Sequence, residues 1–325
     1  MKRNPTIDLM KTTSIILVIL VHSLPRDIQM MIGRPLFLQH AVPAFMVLFG
    51  YNRVKSIERK GIDTLAELTK WDAIRNQLKG ILIPYVVVWV IFELSFGLAV
   101  NANLIDMVQS FILGGRGPGG YFIVLMVQAI LLFPFLYHFM NRIRPVKALT
   151  ILFILNLGLE LLSINMNPEL YRVLIVRHIF SIALGIHLAK HKDKIDLKKW
   201  VPLVIVSLVY IISVDYGGAH LFIEHMWDSQ HPPAYFWTFF MVFIGLSLPL
   251  KRNRVITFIG QSSYFVFLVQ KVYFMFRNAF FATIPYGLDT LISLLISLTL
   301  GIGFYYLVKN NYFIDEVRKT SYKAK

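Results

Sequence analysis

Residues 7–24 read IDLMKTTSIILVILVHSL, an apolar run whose only ionisable members are Asp8, Lys11 and His22. A bilayer core about 30 Å thick takes about 20 helical residues to cross, so this stretch spells a spanning helix. Nine further apolar runs follow, at about 36–51, 78–100, 120–139, 148–164, 170–189, 200–214, 235–250, 255–280 and 288–308. The expectation is an all-α integral membrane protein with about ten transmembrane helices. Several runs are shorter than a perpendicular span requires, so tilt or extension into the loops supplies the remaining length.

Composition points the same way. Apolar residues fill 56% of the 325 positions and charged residues 16%, a balance suited to lipid rather than water. The chain has no Cys, which excludes disulfides, thiolate metal sites and cysteine nucleophiles. Any chemistry therefore falls to His, acids, bases or hydroxyls. A formal net charge of +15 raises the question of nucleic acid, but the cations sit in short loops between apolar runs. They read as topology signals, with lipid and not nucleic acid as the partner. Lys2 and Arg3 precede the first run, yet no small-residue cleavage site follows, so that run is expected to be a retained helix.

The loops alternate in Lys and Arg content. One set carries 25 of them, including the seven from Arg53 to Lys79, and the other set carries three: Arg26, Arg34 and Arg116. Positive-inside bias then gives an N-in, C-in orientation. No repeat or separate soluble unit is visible, so residues 1–325 are expected to form a single polytopic domain.

Ionisable groups within spans are costly unless they meet a partner or a cavity, which makes them site candidates. Lys11 and His22 are eleven residues apart, nearly a whole number of helical turns, on one face and roughly 16 Å apart. Asp8 shares that face. Two readings stand: a functional stripe, or an Asp8–Lys11 pair at the inner interface with His22 among the outer headgroups. Other candidates are Glu93, Arg177, His178, His187, Gln270, Lys271 and Arg277, with Glu93 and one of the cations a plausible structural ion pair. The outer segment 215–234 holds His220, Glu224, His225, Asp228 and His231, types that suit a polar acceptor; their spacing matches no metal motif, and no metal is expected.

These residues resemble a family. Ile7-Asp8-Leu9-Met10-Lys11 followed by Leu17 through His22 is similar to the opening helix of the acyltransferase family 3 membrane proteins, where a basic residue, usually Arg, precedes a His by eleven positions. Lys11 keeps that charge but not the planar fork. Pro43-Ala44-Phe45 and Phe49-Gly50-Tyr51 resemble the family's Pro-x-Phe and Ser-Gly-Tyr, with Phe49 in place of Ser. Arg75, Lys79 and Ile83-Pro84-Tyr85 resemble its basic approach to the third helix. Gly117-Pro118 with Tyr121-Phe122 is similar to Gly-Pro-x-Trp-Phe, and Ile259-Gly260-Gln261-Ser262-Ser263-Tyr264 through Gln270 to the family's Gly-x-x-Ser-Tyr and Tyr-Leu-x-His. Gln270 replaces that His.

The resemblance implies a membrane O-acyltransferase of the bacterial cytoplasmic membrane. It would move an acyl group, acetyl by default, from cytoplasmic acyl-CoA to a hydroxyl of an envelope glycan or polysaccharide, with acetyl-CoA as substrate and no bound cofactor. His22 would be the base, Lys11 would hold the donor or developing negative charge, and Asp8 would orient Lys11. Arg75, Lys79, Tyr51 and Arg177 are the expected donor contacts, and Tyr121, His225 and His231 the expected acceptor contacts. A transporter or flippase for a glycan or lipid-linked precursor, and a non-catalytic partner in polysaccharide synthesis, remain as alternatives.

Overall fold

The computed structural model describes residues 4–62, 64–162, 166–218, 230–280 and 284–310, and among them every regular element is helical. The principal helices are α1 (Pro5–Ser23), α2 (Ala41–Lys60), α3 (Trp71–Val88), α4 (Leu104–Ile112), α5 (Tyr121–Arg142) and α6 (Pro145–Leu162). They are followed by α7 (Ile179–His191), α8 (Leu197–Asp215), α9 (Tyr235–Ser247), α10 (Arg254–Phe280) and α11 (Tyr286–Asn310). Among the described residues, seven helices are long and apolar enough to cross a bilayer: α1, α3 with its extension to Leu98, α5, α6, α8, α10 and α11. The runs at 36–51, 170–189 and 235–250 fall mainly on α2, α7 and α9, of which α2 carries a charged last third and the other two have only 13 residues each.

Burial sorts these helices. About half of the apolar window is buried in α1 (44%) and α10 (56%), against 17% in α8 and α11, so the first pair is central and the second faces lipid. α1 starts where it does because the Asn4 side chain accepts the Thr6 N–H at 3.0 Å, Pro5 occupies the first turn, and Asp8 complements the positive end of the helix dipole. It lies along α10, where Thr12 Oγ1 donates to the Ile256 carbonyl at 3.0 Å and Gly260 packs on the Asp8 backbone.

α2 crosses α7 at a glycine contact. A Cβ on Gly50 would stand 3.3 Å from the Gly185 Cα, and one on Gly185 3.0 Å from the Tyr51 nitrogen. Small residues that let two backbones approach this closely favour helix association by van der Waals packing.

Two of the apolar runs are irregular. α3 passes into a π-turn at Trp89–Leu94 that turns Glu93 inward. The run at 170–189 is broken into a short helix (Pro168–Val173), an extended Leu174, a 3₁₀ turn (Ile175–His178) and then α7. Gln128 of α5 repairs the break: its Nε2 donates to the Val173 carbonyl at 2.7 Å and its Oε1 accepts the Ile175 N–H at 2.9 Å. Backbone groups freed at membrane depth need such a partner.

Candidate functional site

The Lys11–His22 stripe of α1 borders an internal cavity of about 490 Å³. Lys11, Val18 and His22 line it from α1, and Ser263, Tyr264 and Phe267 line it from α10. α2 contributes Val42, Phe45, Phe49, Asn52, Arg53 and Ser56, which recur at three- and four-residue steps on one helix face. Because α2 returns beside α1, Arg53 comes level with Lys11 at one end. His22, Arg34, Gln39, Tyr121, Arg172 and Gln230 gather toward the other. Between them lies an apolar waist, in which the Phe122 ring is 5.7 Å from Phe45 and 5.1 Å from Phe267.

The His22 end is a polar lattice. Arg177 Nη2 donates to Gln230 Oε1 at 2.7 Å, and Gln230 Nε2 donates to the Gln39 carbonyl at 2.8 Å. The Tyr235 hydroxyl lies between the carbonyls of Arg177 (2.6 Å) and Gln230 (2.5 Å), and the Arg172 guanidinium covers Tyr121 at 5.7 Å. His22 packs its ring 5.8 Å from Phe274, and the charge of Arg34 acts on it. In the segment joining α1 to α2, burial and then the Arg26 charge push the Arg34 guanidinium below its ordinary value, while Asp215 pulls it back.

The wall behind the loop that joins α4 to α5 is fixed by ions. Lys271 of α10 pairs with Glu93, both essentially without solvent exposure, and the second Glu93 oxygen accepts the Arg116 N–H at 2.5 Å. Gly115, at φ +90°, lies so close that a side chain there would strike both members of the pair. Pro118 and Gly119 of the same loop line the cavity. This is the ion pair that the sequence suggested for Glu93, with Lys271 as the cation.

The expected residues are distributed unevenly. Lys11, His22 and Tyr121 meet at the cavity, and Asp8 is buried on α1 one turn from Lys11. Arg177 is buried behind Gln230, at the His22 end and not at the end with Lys11. Arg75 and Lys79 do not line the cavity; Arg75 pairs with Asp72 at 3.0 Å near the start of α3. Tyr51 is buried toward α7, on the α2 face opposite Phe49 and Arg53. His231 is buried in a pair with Glu160 of α6, away from the cavity lining, and His225 lies outside the described residues.

Arg53, Arg34, Arg172 and Gln230 are cavity residues that the sequence reading did not single out. Arg34 had a usable signal, as one of only three cations on the cation-poor loops. Arg53 had another, since the Phe45, Phe49 face of α2 continues to it in helical register.

A family model described as an acyltransferase domain matches residues 4–308. No curated protein and no solved structure matches the chain.

Proposed function

The chain belongs to this acyltransferase family, and as a multi-pass membrane acyltransferase we propose that it transfers an acyl group, acetyl by default, from cytoplasmic acyl-CoA to a hydroxyl of an envelope glycan. One observation carries the reading: Lys11 and His22 line a single cavity from two ends. In the proposed ten-span, N-in, C-in arrangement in a bacterial cytoplasmic membrane, the Lys11 and Arg53 end opens toward the cytoplasm and the His22 end toward the exterior. Residues 1–325 act as one domain.

The donor phosphates lie against Lys11 and Arg53, a role the geometry favours for Arg53 over Arg75 and Lys79. Asp8 steadies Lys11. The acyl arm threads the aromatic waist and brings its thioester to His22, and the acceptor hydroxyl arrives from the Tyr121 side. His22 takes the hydroxyl proton as the oxygen attacks the thioester carbonyl. The C–S bond breaks, the thiolate takes the proton from the imidazolium, and an ester and free CoA result. Buried dipoles and cations along the stripe stabilise the oxyanion.

The test is transfer of label from radiolabelled acetyl-CoA to a polysaccharide by the purified protein. His22→Ala should abolish transfer while the protein still accumulates in the membrane. Lys11→Arg should keep much of the activity and Lys11→Ala should lose it. Movement of glycan without label would make the protein a carrier, and neither movement nor label would make it a non-catalytic partner in polysaccharide synthesis.

A further inference from the structure

The cavity lining contains four cations, Lys11, Arg34, Arg53 and Arg172, and no Asp or Glu among the described residues. Lys11 and Arg53 suffice for a donor that brings its phosphates to their end. Arg34 and Arg172 stand at the opposite end, beside Tyr121 and His22, where a thioester donor has no negative charge to offer. Positive-inside bias does not account for Arg34, because it is one of only three cations on the cation-poor loops. Burying part of a guanidinium is costly unless an anion or hydrogen-bond acceptors compensate it. The Nε of Arg34 is buried with no hydrogen-bond partner. Of the charges acting on Arg34, Arg26 adds to the positive potential and Asp215 offsets one unit of it. Arg177 adds a third guanidinium whose charge, with that of Arg172, reaches Tyr121, while the Glu160 carboxylate acts alongside Arg177 on Tyr235.

We propose that the acceptor is an anionic glycan, whose carboxylate or phosphate is gripped by Arg34 and Arg172 while its hydroxyl meets His22. The proposal rests on the acyl-transfer reading and names its acceptor class. Guanidinium groups are suited to it, because their planar forks match both oxyanions and their charge strengthens each hydrogen bond. A neutral sugar would offer those guanidinium groups no charge-assisted hydrogen bond, and so would bind less well.

Equilibrium binding to the purified full-length chain tests this, with two probes of one length and linkage: cellohexaose, and the hexamer oxidised at C6 to the uronate. The uronate should bind on the order of tenfold more tightly at low salt, the effect of one charge-assisted hydrogen bond. Its advantage should shrink as salt is raised, a readout that needs no variant. Arg34→Gln and Arg172→Gln should each remove most of the advantage, Arg34→Lys should restore part of it, and acetyl-CoA binding should stay unchanged in all three. Equal or weaker binding of the uronate, binding of neither probe included, overturns the inference. Label transfer run in parallel separates the two ideas. Transfer to neutral glycans without a uronate preference keeps the enzyme and removes the anionic acceptor, whereas a uronate preference without any transfer does the reverse.

Discussion

Removing one member of the Glu93–Lys271 pair should cost far more than removing both. In Lys271→Met the Glu93 carboxylate, 2% exposed, would keep only the Arg116 N–H at 2.5 Å and a long contact from Ser110 Oγ at 3.4 Å. Breaking a buried pair from one side costs about 3–5 kcal/mol, because an uncompensated charge is left in a low-dielectric site. That is a large share of a typical total of about 5–15 kcal/mol. At about 2 °C per kcal/mol for a chain of this size, the thermal midpoint in detergent should fall by about 6–10 °C. In Glu93→Gln combined with Lys271→Met no charge is stranded, and most of that loss should be recovered. Melting followed by tryptophan fluorescence compares the three proteins. If the single and double variants melt together, the pair is not a charged pair in the fold and the reasoning is wrong. Activity should follow the melting order, since the loop that the pair anchors supplies Pro118 and Gly119 to the cavity.

Two further variants probe the ends of the argument. Arg53→Gln should raise the KM for acyl-CoA on the order of tenfold, the loss of one charged contact, and leave the acceptor KM alone; Arg75→Gln should change neither, and equal effects in steady-state kinetics would return the donor site to the start of α3. Gly50→Leu should destabilise the fold by at least about 1–3 kcal/mol, because the side chain would be forced into the α7 backbone. An unchanged midpoint in the same fluorescence melt would show that α2 and α7 are not in close contact.

The helices were legible because hydropathy and period were: every apolar run identified from the sequence lies mainly on helix. What hydropathy could not supply was where helix outlasts membrane. α2 does not stop at 51; it runs to Lys60 and ends in a left-handed Gly61 after Arg59 and Lys60, a regular C-terminus with cations in the last turn. Asn52, Arg53 and Ser56 therefore read as loop when they are cavity wall. The shared face of Lys11 and His22 was legible because eleven residues make about three helical turns, and both side chains line the cavity. Arg75 and Lys79 lie off the cavity lining, and cations at the start of a span carry the same signal whether they face a ligand or a carboxylate three residues away, as Arg75 does. Arg172, Gln230 and Arg177 come together only through the break at Leu174 and contacts between distant segments, which no local pattern encodes.

The Gln128 clasp has a bearing on how the chain is made. Its amide precedes the two backbone groups it serves by 45 and 47 residues, so it leaves the ribosome first and enters the bilayer with the hairpin of α5 and α6. The segment after it cannot insert as a regular helix on its own, since its interrupted ladder would present a bare carbonyl and a bare amide to hydrocarbon. Synthesis order eases that obstacle by delivering the receptor before the guest, so a glutamine outside the cavity lining serves the assembly of the cavity's wall.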